Sequence, residues 1–225
     1  MIDMFQAVIL TVTRELSLAE FDALLSFVSP AKQERIQGFR LFRDARNTLL
    51  GDILARVELS RATGKKARRL VFSKSGYGKP FLENNPHAHF NLSHSGPYIA
   101  CVTAGEPVGI DIELFRPIDL RLAERFFSPE EMEYVKHGRQ IRRFFEVWTK
   151  KESRIKWEGM GLSKHLPSFS VIGGEKPPTY HKVFLNEEAI CHVCSSSEAP
   201  PSVRVTDLDA WMNQAKEHFH GLQHL

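Results

Sequence analysis

At 225 residues, with 42% hydrophobic and 25% charged side chains, the chain has the composition of a folded soluble protein and lies far from that of a disordered one. Its formal charge of +3 favours acidic partners without the excess that nucleic-acid binders carry, and three cysteines (Cys101, Cys191, Cys194) are an odd number and too few for a disulfide framework. No stretch nears the roughly 20 apolar residues that span a bilayer, and MIDMFQAVILTVTREL lacks the basic start and long apolar run of a secretory signal, so no membrane contact and a cytoplasmic location are expected.

Residues 7–12 read as a first strand. SLAEFDALLSFV opens with Ser17 and Glu20 at capping-box spacing, and Leu18, Phe21, Leu24, Leu25 and Val28 recur at helical period, which predicts an amphipathic helix. SPAKQERIQGF restarts with Ser29 as N-cap, Pro30 at the first helical position and Gly38 as a stop. A longer helix is predicted over 44–63, with Ala45, Leu49, Ile53, Leu54 and Val57 buried and Gly64 past its end. Short β-rich runs then alternate with glycine, proline and asparagine turns, so LVF, HFNL, YIACVT and VGIDIE read as strands. LRLAERFF, SPEEMEYVKHG and residues 141–158 read as helices, and FSVI, KVFL and AICHVC as strands. Strand, helices, strands thus runs twice without a sequence repeat. This predicts an α+β fold of two similar halves, residues 1–106 and 107–225, joined near GEPVG, with a ligand in the cleft between them.

Three stretches carry side chains suited to chemistry. In GIDIE, residues 109–113, strand alternation sends Ile110 and Ile112 one way and Asp111 and Glu113 the other. In WTKKESRIKWEGMGL, Glu152 and Lys156 lie four apart on one helix face with Trp148 a turn earlier. Each alone reads equally as an ordinary feature: a strand with its polar face in water, and an i,i+4 ion pair beside a core tryptophan. Together, two acids on a strand and a third from a helix make a half-site for Mg²⁺, with Lys156 one turn on to meet a phosphate. GYGKP and NLSHSG place Lys79, Ser93 and His94 among glycines, a setting for phosphate contacts. SHSG lacks the surroundings of a nucleophile elbow, and GYG is too short for a dinucleotide fingerprint. CHVC, on a strand, puts Cys191 and Cys194 on opposite faces and reads as packing. The basic runs KKARR and KHGRQIRR read as solvated faces, and the tail HFHGLQHL as frayed.

GYGKP, AHFNLSHSG, VGIDIE, RFFSPEE and WTKKESRIKWEGMGL, in this order and at these separations, closely resemble the Sfp-type 4′-phosphopantetheinyl transferases, from about SPAKQER to LPSFSVI. The resemblance implies a monomer, a pseudo-dimer of two α+β halves, that binds coenzyme A and Mg²⁺ in the cleft. It also implies transfer of the 4′-phosphopantetheine arm to a serine of an acyl or peptidyl carrier protein, with adenosine 3′,5′-bisphosphate released. By motif position, Asp111, Glu113 and Glu152 match the metal ligands, Mn²⁺ suiting the same oxygens, and Lys156 the pyrophosphate contact. Lys32, Arg35, Thr48, Lys79, Ser93 and His94 fall where the family binds the nucleotide end. Arg35 departs from the family's lysine, keeping charge but changing geometry.

The resemblance makes Glu152 the first choice of general base, directly or through a water, with Glu131 of FFSPEE the second. It also gives KHGRQIRR, residues 136–143, and the neighbouring Phe126 and Phe127 a use in docking an acidic carrier of fatty acid, polyketide or nonribosomal peptide synthesis. Two other readings use the same residues: a Mg²⁺-dependent phosphohydrolase acting on coenzyme A or a related nucleotide, and a non-catalytic coenzyme A-binding module.

Overall fold

The computed structural model describes residues 5–161, 164–173 and 178–219. Strand β1 (Gln6–Thr11) leads to α1 (Leu18–Leu25), whose Ser17 and Glu20 form the expected reciprocal capping box. Helix α2 (Pro30–Gln37) carries Pro30 in its first turn, and α3 (Phe42–Thr63) ends at Gly64, left-handed at φ 69°. The GYGKP turn links β2 (Phe72–Lys74) to β3 (Pro80–Leu82). Strands β4 (His89–Ser95), β5 (Tyr98–Ala104) and β6 (Val108–Leu114) follow. Helices α4 (Arg121–Phe126), α5 (Pro129–Lys136) and α6 (Gln140–Glu158) precede β7 (Thr179–Leu185) and β8 (Ala189–Ser195). The described chain closes with β9 (Ser202–Asp207) and α7 (Leu208–His218).

Two sheets pack between helices. The first has the order β4-β5-β1-β9 and the second β6-β8-β7. Alternation along the strands builds the layers. Val8, Leu10, Ile99 and Cys101 face α1, α2, α3 and α7, whereas Ala7, Ile9, Ala100 and Val102 meet Ile110, Ile112, Cys191 and Val193 of the other sheet. Phe144, Phe145 and Val147 of α6 pack with Phe127, Val135 and Ile190 on the far side. The result is the expected α+β architecture.

Side chains join the two sheets where β4 meets β6. Asn91, Ser93 and Ser95, alternate residues of β4, accept hydrogen bonds from the backbone N–H groups of Ile110, Ile112 and Leu114 at 2.9, 3.3 and 3.1 Å. The edge of β6 is thereby satisfied without a ladder.

Three expectations are corrected. FSVI is no strand: Val171 donates its N–H to the Glu131 side chain instead of to a neighbouring strand. The chain does not divide cleanly at 106/107, because β9 runs parallel beside β1 and α7 buries Trp211, Met212 and Ala215 in the first half's core. The tail is ordered at its start, where Phe219 is buried against Phe27 with ring centroids 4.4 Å apart. Residues 220–225 of that tail lie outside the described residues.

Candidate active site

The site begins with a glycine. A Cβ on Gly109 would stand 2.0 Å from the Ser153 carbonyl oxygen and 2.4 Å from the Trp157 nitrogen, so only glycine lets the backbone of α6 rest on β6. Two residues on, on the same face, Asp111 is 5% exposed beneath that helix. Its Oδ1 accepts from Ser93 Oγ at 2.9 Å and from Lys156 Nζ at 2.6 Å. Lys156 also donates to Ser93 Oγ at 3.1 Å and to the Ile110 carbonyl at 3.0 Å. Asp111 Oδ2 is buried with no hydrogen-bond partner among the described residues.

Glu113 lies further out on the same strand face, and its Oε2 accepts from Ser95 Oγ at 2.9 Å and Arg116 at 2.8 Å. Glu152, half-buried on α6, has no hydrogen bond among the described residues. Burial raises its pKa first, then the neighbouring charge of Asp111, with Lys156 opposing. Burial likewise raises Asp111 against the pull of Lys156. The charge of Glu113 adds to the rise in both, so negative charge outweighs positive around these two carboxylates.

Among the described residues, no group of three or more His, Cys, Asp or Glu side chains is placed to hold a metal ion. A hard divalent cation needs less than that from the protein. It is commonly held by one or two carboxylates, with phosphate oxygens and waters completing the shell. The buried, unpartnered Asp111 Oδ2 and the unpartnered Glu152 are a donor set of that kind.

On the other face of β4, Phe90 and Leu92 help line a cavity of about 490 Å³. Its charged side chains are almost wholly cationic: Lys32, Arg35, Arg56, Arg68 and Lys74, against the single carboxylate of Asp52. Asp52 is itself engaged, by Arg56 at 2.7 Å and Lys32 at 3.6 Å. Burial lowers the Lys32 pKa, and the charges of Arg35 and Lys74 push the same way, so these cations crowd one another and favour an incoming anion.

The six residues matched to the nucleotide separate on this geometry. Lys32 and Arg35 line the cavity. Thr48 lies one helical turn before Asp52 on α3, and His94 alternates with Leu92 on the cavity face of β4. Desolvation, then the charge of Lys156, lowers the His94 pKa. Ser93 points the other way, onto Asp111. Lys79 also lies outside the cavity: its ammonium donates to the carbonyls of Val108 at 3.0 Å and Trp157 at 3.3 Å, and burial lowers its pKa to about 8.

Glu131 does not suit a general base. It is 0% exposed, its carboxylate accepts from the N–H groups of Ser128 and Val171, each at 2.8 Å, and it pairs with the equally buried Lys151 at 2.8 Å. With no exposed surface, this carboxylate cannot meet a substrate. Cys191 and Cys194 are buried and free, as expected of packing residues. Asp52, Arg56 and Lys74 escaped the sequence reading, although the i,i+4 spacing of Asp52 and Arg56 marked a helix-face pair, and Arg68, read within KKARR as part of a solvated face, lines the cavity.

Two family models cover most of the chain: one described as the 4′-phosphopantetheinyl transferase superfamily matches residues 107–209, and one described as 4′-phosphopantetheinyl transferase, N-terminal, matches residues 15–107. The chain is 44% identical over 161 residues to 4′-phosphopantetheinyl transferase Sfp of Bacillus subtilis (strain 168), covering 70% of this chain and 72% of that protein. It is 32% identical over 219 residues to 4′-phosphopantetheinyl transferase gsp of Aneurinibacillus migulanus, covering 91% and 92%.

Proposed function

Since the chain belongs to the Sfp-type 4′-phosphopantetheinyl transferases, which move phosphopantetheine to carrier proteins with coenzyme A as co-substrate, we propose how its own residues carry that reaction. The nucleotide end of coenzyme A enters the cationic cavity, held by Lys32, Arg35, Thr48 and His94. The pyrophosphate reaches Lys156, and Mg²⁺, or Mn²⁺ in its place, would be held by Asp111 and Glu152, with Glu113, already bonded to Ser95 and Arg116, further out on the same strand face. The observation that carries this reading is the buried Asp111 Oδ2, left without a donor beside a carboxylate that also has none. When bound, the cation neutralises charge on the phosphate oxygens.

The carrier's serine hydroxyl attacks the β-phosphorus in line, forming the new P–O bond as the bond to the bridging oxygen breaks. Adenosine 3′,5′-bisphosphate leaves with that oxygen. Glu152 takes the serine proton, directly or through a water. Lys156, fixed by Asp111 and the Ile110 carbonyl, is preorganised to meet the charge gathering on the leaving phosphate. The enzyme works as a monomer in this scheme.

The carrier docks on the second half. Lys136 and Arg139 are exposed, whereas Arg142 is held by Glu187 and stacked over Phe115, and Arg143 donates to the Tyr134 carbonyl. Charge reversal at Lys136 and Arg139 therefore raises KM for the carrier without raising KM for coenzyme A.

The deciding experiment is intact-mass spectrometry of an apo carrier protein incubated with the enzyme, coenzyme A and Mg²⁺, with Asp111→Ala alongside. One added phosphopantetheine, lost in the variant and on chelation, is the expected result. Coenzyme A cleaved with the carrier unmodified would make the site a phosphohydrolase, and coenzyme A intact across several carriers would leave a binding module.

A further inference from the structure

Helix α6 ends at Glu158, followed by Gly159 in the left-handed conformation at φ 72°. The last carbonyls of a helix have no partner within it, and the negative end of its dipole favours a cation there. Lys79, from the GYGKP turn of the first half, supplies both needs: its ammonium donates to the Trp157 carbonyl at 3.3 Å. The same ammonium donates to the carbonyl of Val108, the first residue of β6, at 3.0 Å.

One side chain thus ties together three pieces of the molecule. They are the β2–β3 turn, the start of the strand that bears Asp111 and Glu113, and the end of the helix that bears Glu152 and Lys156. Lys156 immediately precedes Trp157, and Gly109, where the helix backbone touches the strand, immediately follows Val108. Sliding α6 along β6 would break both Lys79 bonds and draw Lys156 away from Asp111, which it meets at 2.6 Å. Lys79 meanwhile lines a separate hollow of about 340 Å³ with Tyr77, Phe81, His89 and Trp157, not the cationic cavity.

We infer that Lys79 is a positioning residue: its side chain locks the register of α6 on β6 across the two halves. The kinetic part of this inference rests on the transfer reaction proposed above; the structural part does not. Lys79→Met, Lys79→Arg and, for comparison, Lys32→Met are assayed for transfer with coenzyme A varied. Hydrogen exchange of the full chain is followed over residues 150–158.

Lys79→Met is expected to lower kcat by about 10-fold or more, since small misplacements of catalytic groups are costly. KM for coenzyme A should stay within about twofold of the parent, whereas Lys32→Met shows the opposite split. Exchange at the end of α6 should quicken in Lys79→Met, and Lys79→Arg, which keeps the donors, should recover most of both effects. If Lys79→Met does not fold, Lys79→Gln takes its place. A raised KM for coenzyme A with kcat intact would overturn the inference, as would unchanged exchange over residues 150–158. Should the parent enzyme transfer nothing, the functional proposal fails and the exchange measurement alone decides whether the lock exists.

Discussion

Helix α6 sets two lysines, Lys151 and Lys156, five residues apart against buried carboxylates of other elements, and the two pairs differ in what is left over. Lys151 and Glu131 are both 0% exposed, and every charge-bearing atom is spoken for: Lys151 donates to Glu131 and to the carbonyls of Leu166 and Phe169, while Glu131 accepts two backbone N–H groups besides. Lys156 is equally well used by Asp111, Ser93 and the Ile110 carbonyl. Its carboxylate side is not, because Asp111 Oδ2 and the whole of Glu152 lack donors. A saturated pair holds a fold together, and a pair with unspent acceptor oxygens marks where a cation or proton belongs.

The sharpest way to break this comparison is to remove one partner of the saturated pair. Lys151→Met leaves Glu131 buried without its cation and is expected to cost about 3–5 kcal/mol. Urea unfolding measures it. The double variant Lys151→Met with Glu131→Gln should recover much of the loss, since no bare charge then remains. A single variant as stable as the parent would mean that the two backbone N–H contacts of Glu131, and not the ion pair, carry the junction of α5, α6 and the segment around Val171.

At the unsaturated pair the same kind of change should behave in the opposite manner. Glu152→Gln removes a half-buried carboxylate that has no donor, so stability should hold or rise slightly. Transfer, however, should fall by about 100-fold or more, the range for losing a positioned proton acceptor. Turnover and unfolding measured on one preparation separate the two effects. Stability and turnover falling together would place Glu152 with Glu131, among the residues that hold the fold.

How far these roles were legible in the sequence follows the range of the interactions involved. The capping box at Ser17 and Glu20, the left-handed Gly64 and the facing of GIDIE are local and were readable. Ser128 and Glu131 of SPEE have the same capping-box spacing, and the structure makes that box; the signal for a structural Glu131 stood in the chain. Its pairing with Lys151 on the next helix had no such local sign. Equally, nothing near SVRVTD reveals that it lies parallel to β1, almost two hundred residues earlier. Ser93 and Lys79 were legible as polar residues in a glycine-rich setting, but what they bind depends on β6 and α6 arriving beside them.

A smaller effect sharpens the comparison through protons. Burial raises the pKa values of Asp111 and Glu152, and the charge of Asp111 raises that of Glu152 further, with Lys156 opposing and Glu113 adding to the rise in both. Their folded values lie above the unfolded ones, so between the two the folded chain holds more protons than the unfolded chain. These acids therefore cost stability as pH rises through that window and restore it as pH falls. A divalent cation at the same oxygens competes with those protons. The acid limb of the transfer rate should begin above the ordinary carboxylate range of about 4 at low Mg²⁺. It should move down by up to about 1 pH unit for each tenfold increase in free Mg²⁺ below saturation, because one cation displaces one proton. Lys151→Arg, at the saturated pair, should leave that movement unchanged, and Glu152→Gln should shrink it. An acid limb indifferent to Mg²⁺ would mean that the unspent oxygens of Asp111 and Glu152 serve the proton alone, and that the cation sits elsewhere on the phosphates.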